Sequence, residues 1–151
     1  MYHLWRITIL LIILQLVACG QEEEISAPDN YHTVADAQQI MLWILEPSAD
    51  VIWQSAGSII TIEGEQDLTP TTVEQWQKVV NSAAMVAESG NLLMMPGRAQ
   101  GDDWLEYSQG LIEAGTQALE AAQSQDGKAL FDAGGQIYQV CKACHNQYMP
   151  K

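Results

Sequence analysis

The sequence predicts an all-α protein, an antiparallel four-helix bundle. Three observations carry that expectation. Apolar residues recur at helical spacing in four stretches, no alternating run is long enough to be a convincing strand, and two of the connections are short.

The first stretch carries Val34, Ala37, Met41 and Ile44, then Val51, Ile52 and Ser55. Pro47 falls inside it, as a kink or as the join between two shorter helices in line. Gly57 to Leu68 loses the period, and Thr69-Pro70 reads as a cap followed by a proline at the first helical position. Val73, Trp76, Val80, Ala83 and Ala87 mark the stripe of a second helix, which Gly90 and Asn91 loosen before the Pro96-Gly97 turn. Asp102 or Asp103 caps a third helix with Trp104, Leu111, Ala114 or Gly115, Ala118 and Ala122 on its buried side. After Gln123 to Gly127, a fourth helix carries Leu130, Ala133, Ile137, Cys141, Cys144 and Tyr148 on one face. Gly134-Gly135 in that helix implies close packing there, since each glycine costs roughly 1 kcal/mol relative to Ala. In an up-down-up-down arrangement the end of the fourth helix meets the start of the first and the connection between the second and third. Asn91 to Gln100 and the first turns of the first helix therefore come beside Cys144 and His145.

Ahead of the helices, the head with Arg6 and the apolar run Ile7 to Leu14, continued through Val17, is too short for a comfortable bilayer span and suits an export signal. It ends in Leu16-Val17-Ala18-Cys19, which resembles a bacterial lipobox, where cleavage precedes a lipidated Cys. An uncleaved anchor or a free Cys19 are the alternatives. The expected organisation is a signal peptide over 1–18, a lipidated Cys19 with a flexible tether over 19–31, and a helical domain over 32–151. Gly20 resembles the pattern of outer-membrane sorting, so the expected location is periplasmic, on a lipid anchor, with the outer membrane favoured.

The chain carries nineteen Asp and Glu against six Lys and Arg, a net charge of −13. Nucleic acid is excluded as a charge-driven partner, and attachment to a membrane would rest on acyl chains rather than a basic patch. A basic-faced redox protein is the complementary partner, and assembly as a homodimer is open to the chain.

Cys141-Lys142-Ala143-Cys144-His145 is the CxxCH pattern of covalent haem c attachment. Thiols three residues apart share one helix face and reach the two vinyl groups of one porphyrin, and the next imidazole can ligate iron. With three Cys and three His in the chain, the pattern arises by chance on the order of one time in a thousand. Three competing readings fit less well. A thioredoxin-like dithiol needs a strand before it and a helix N-terminus. A structural zinc needs two further ligands, and only His32 remains beyond the signal. A disulfide across three residues of a regular helix has poor geometry.

On Cys-Lys-Ala-Cys-His followed by Tyr148, on Trp104 opening the third helix and on the Ala-rich run Ala118 to Ala122, the chain from about Tyr31 to Lys151 resembles the class II cytochromes c, the cytochrome c′ family. It departs in having Met149 where many members have Arg after the Tyr. The resemblance implies one haem c held by Cys141 and Cys144, with His145 as axial iron ligand. It also implies two kinds of protein: low-spin electron carriers with a Met ligand from the first helix, and five-coordinate proteins that bind nitric oxide or carbon monoxide at an open iron.

Met41 is the candidate second axial ligand, although Met at helical spacing more often only fills a core. Met94 and Met95 are rivals expected to wall the haem pocket, and His32 precedes the helices. Arg98 is the nearest cation for a haem propionate, where an exposed loop Arg is usually just solvated. The expectation is a periplasmic monohaem c-type cytochrome that transfers single electrons, with the gas-binding protein as the alternative and a haem-bearing subunit of a membrane redox complex as a third. No nucleophile or proton donor points to an enzyme.

Overall fold

The computed structural model describes residues 31–149. The signal segment, Cys19 and the tether up to residue 30 lie outside them, and from Thr33 onward the described residues form one unit. That unit is mostly helical, with four helices packed against each other.

The first helix is a continuous rod of three pieces: α1 (Ala37–Ile40), a π-helical turn (Met41–Leu45) and α2 (Glu46–Trp53). Asp36 opens it with a capping box, its carboxylate accepting from the Gln39 backbone while the Gln39 side chain accepts from the Asp36 N–H. Pro47 neither breaks the rod nor divides it; the turn before it widens instead. The buried stripe consequently differs from the expected one. It runs Ile40, Leu45, Ser48, Ala49, Ile52 and Ala56, with Met41 and Ile44 only half-buried.

Between Gly57 and Leu68, where only a loss of period was expected, lies a hairpin of β1 (Ser58–Thr61) and β2 (Gly64–Asp67), paired antiparallel from Ser58 opposite Asp67 to Thr61 opposite Gly64. All eight residues are exposed. Both faces see water, so no alternation of apolar and polar residues was there to be read.

Helix α3 (Val73–Met94) starts later than Thr69-Pro70 suggested. Thr72 is the cap, its hydroxyl accepting from the Gln75 N–H, with Gln75 returning the bond in a capping box. Gly90 and Asn91 do not loosen it. Gly90 lets α3 approach α4 (Asp102–Gln123) so closely that a Cβ there would lie 2.6 Å from the Ser108 carbonyl oxygen. Gly115 repeats the device from the other side, where a Cβ would lie 2.6 Å from the Ala87 nitrogen. With Ala83, Ala87, Ala114 and Ala118 around them, two nearly bare backbones meet. The buried Ser89 and Ser108 turn their hydroxyls back onto carbonyls four residues earlier, on Met85 and Trp104, and so carry no unsatisfied donor into the seam.

Helix α4 is capped by Gly101 at φ 109°, with Asp102 and Asp103 in its first turn rather than at the cap. Their charges sit where the helix dipole favours them. Asp126 caps α5 (Gly127–Tyr148). Of the glycine pair in α5, Gly134 packs as expected, 3.3 Å from the Trp53 ring if a Cβ were added, whereas Gly135 has nothing within 4 Å. Neighbouring helices run in opposite directions: Gly115 meets Ala87 while Trp104 reaches Leu93, Tyr107 reaches Gln147 while Gly110 faces Val140, and Trp53 donates to the Gly134 carbonyl at 2.9 Å while Met41, earlier in the first helix, lies toward Cys144, later in α5. No helix among the described residues is long and apolar enough to cross a membrane.

Candidate functional site

At the end of the molecule where α5 finishes, an apolar cleft opens between the first helix, α3, α4 and α5. The space it encloses is about 20 Å³, room for about one water molecule, and it is open to solvent. The first helix gives it Met41 and Leu45, and α3 gives Leu93. Helix α4 lines it from Trp104 to Leu111, and α5 adds Val140, Cys141, Cys144 and His145. The three residues of the CxxCH pattern thus share one cleft with Met41.

Cys141 and Cys144 are both unpaired and half-buried. Burial pushes both thiols above the ordinary thiol range, with the neighbouring Cys144 adding to the rise at Cys141. That direction is opposite to the lowered thiol of a redox-active dithiol, and the pair sits late in a helix rather than at its start. Among the described residues no three His, Cys, Asp or Glu side chains gather as a metal cage would require. The donor set that is present fits covalent haem: two thiols on one helix face, an imidazole next to them, apolar walls and a thioether on another helix.

The rim of the cleft is stiffened by aromatic rings and amides. Trp104 and Tyr148 meet edge to face with centroids 5.1 Å apart, and Tyr107 approaches Tyr148 in the same way at 6.4 Å. Tyr107 donates its hydroxyl to the Gln147 side-chain oxygen at 3.0 Å, and Gln147 donates its amide to Asp103 at 2.7 Å. These bonds tie the last turn of α5, which holds His145, to the first two turns of α4. Trp104 donates its indole N–H to the Leu93 carbonyl at 2.8 Å, satisfying one of the carbonyls that a helix end leaves without a partner.

The remaining expected residues fall differently. Met94 and Met95 are half-buried but do not line the cleft; Leu93 stands there instead. Arg98, expected as an exposed loop cation near a propionate, is 9 % exposed. Its Nε and Nη2 donate to the Ala35 carbonyl at 3.2 and 2.8 Å, and its Nη1 donates to the Leu92 carbonyl at 2.9 Å. It borders a separate open recess with Asp36 and Gln39. His32 is exposed and precedes the first helix.

Sequence reasoning missed Leu45, Leu93, Tyr107, Ser108 and Val140 as lining. Tyr107 and Ser108 could have been found, because they stand three and four residues after Trp104 and so share its face. Comparison of the chain with models of known protein families, with curated protein sequences and with solved structures finds no match.

Proposed function

We propose that the chain is a monohaem c-type cytochrome of the class II kind, an antiparallel four-helix bundle with its haem-attachment motif at the C-terminus, that transfers single electrons in the periplasm from a lipid anchor at Cys19. The observation that carries the reading is the shared cleft: Cys141, Cys144, His145 and Met41 border one apolar space. Haem bound there would supply a one-electron iron couple. Cys141 and Cys144 hold the group in place. His145 would give the iron a nitrogen donor and Met41 a thioether, and a thioether donor favours ferrous over ferric iron and raises the potential. Leu45, Leu93, Leu111 and Val140 keep water from the centre. The acidic surface suits docking to a basic-faced redox partner. Arg98 enters this reading as an anchor of the cleft end, because its donors are engaged by carbonyls.

The test is expression with export and haem-attachment machinery. The denatured wild type should keep its haem stain, and Cys141→Ser with Cys144→Ser should lose it; haem released from the wild type by acid acetone sinks the reading. Met41→Ala should turn a low-spin spectrum high-spin. The apolar lining by Leu45, Leu93 and Leu111 also suits a small uncharged gas, so a wild type that is already high-spin and takes up nitric oxide at once replaces electron transfer with gas binding. Cys19→Ser should abolish fatty-acid labelling and membrane partition; an unlabelled wild type removes the anchor.

A further inference from the structure

The first helix changes pitch where Met41 stands. The Glu46 N–H donates to the Met41 carbonyl, five residues back instead of four. Such turns are rare and need a cause. The burial pattern records the same event, stepping by five from Ile40 to Leu45 and then by four and three to Ala49 and Ile52.

Two constraints hold the wide turn. On its C-terminal side is Pro47, which has no N–H to give and whose ring would collide with the Trp43 carbonyl in an α-helical turn. On its N-terminal side is Arg98, which grips the Ala35 carbonyl through two nitrogens. Farther along, Trp53 pins the rod to α5 through the Gly134 carbonyl. A π-turn takes up one residue more than an α-turn, so between the cap at Asp36, next to the Ala35 pin, and Trp53 the rod holds one residue that an α-helix of the same span would not.

Closing the turn to α geometry would rotate everything before it by about 100°, one residue's share of a 3.6-residue turn. Ala35 would leave Arg98. Met41, four residues before Leu45, would take the core position that Ile40 now occupies. We propose that Pro47 and Arg98 are positioning residues that together hold the π-turn and so keep Met41 at the cleft instead of in the core. The functional meaning of this placement rests on the haem reading; the placement itself does not.

The experiment follows the Met41 methyl group by carbon-13 methionine labelling, assigned with Met41→Leu, together with the haem spectrum of the same samples. Pro47→Ala should move the Met41 methyl resonance away from its wild-type position and turn the greater part of the haem high-spin. Deleting the exposed Leu42 in the Pro47→Ala background removes the extra residue, lets an α-turn keep both pins, and should restore both signals. An unchanged Met41 resonance in Pro47→Ala overturns the proposal. Should Pro47→Ala not fold, deletion of Leu42 alone decides. It forces Pro47 into an α-turn and has to lower the denaturation midpoint, and adding Pro47→Ala has to raise it again; equal midpoints overturn the proposal. A wild type without haem removes the cytochrome reading, while the methyl resonance still reports on the turn.

Discussion

The seam between α3 and α4 and the seam between the first helix and α5 are built on opposite plans. In the former, Gly90, Gly115 and the alanines around them bring backbone against backbone, and Ser89 and Ser108 are folded inward with their hydroxyls satisfied. In the latter, Trp53 keeps the helices in register near Gly134, and beyond it they part into the cleft that Met41, Cys141, Cys144 and His145 border. Close packing on one side of the molecule stands beside an open apolar cleft on the other. A helix pair without room for a Cβ cannot slide or splay, so it serves as the frame against which the second pair opens.

Four substitutions break or sharpen that contrast. Gly115→Leu drives a side chain into the Ala87 backbone and should destabilise the protein by roughly 3 kcal/mol or more, read as a fall in the urea midpoint. Trp104→Phe bridges the two regions, because its indole sits in the cleft while bonding the end of α3. Loss of the bond to the buried Leu93 carbonyl should cost about 2 kcal/mol in the same assay. Gly135→Ala, where a methyl meets open space on an exposed helix face, should instead stabilise by about 1 kcal/mol. Gly110→Ala lies between these extremes, since a Cβ there would touch Val140 at an ordinary 3.5 Å; a gain of roughly 0.5 kcal/mol is expected in thermal unfolding. If Gly115→Leu were as harmless as Gly110→Ala, the tight seam would not be the frame.

The sequence showed the buried side of α4 almost residue by residue, because Trp104, Leu111, Ala114, Ala118 and Ala122 keep one unbroken helical period. The face of α5 was equally legible, and with it the pairing of Cys141, Cys144 and His145 in one place. The first helix was not. Its pitch depends on Pro47 acting together with Arg98, whose partner Ala35 is 63 residues away, and no local period contains that information. Gly90 looked like a weak point, since a glycine's use is visible only once its neighbour is known. Arg98 looked exposed for the same reason: a loop position says nothing about which distant carbonyls will claim its donors.

The hairpin of β1 and β2 has a consequence for how copies of the chain behave in solution. Ile59, Ile60 and Ile62 lie exposed in and beside β1, whose edge away from β2 offers free backbone groups, and such a segment can template pairing with another chain. Each strand is only four residues long, and the second carries Glu65 and Asp67, with Glu63 in the turn between them. A strand from a second copy would bring the same carboxylates alongside, without a lysine or arginine in the hairpin to balance them. Repulsion between these acids therefore opposes edge-to-edge pairing of two copies through the exposed hairpin.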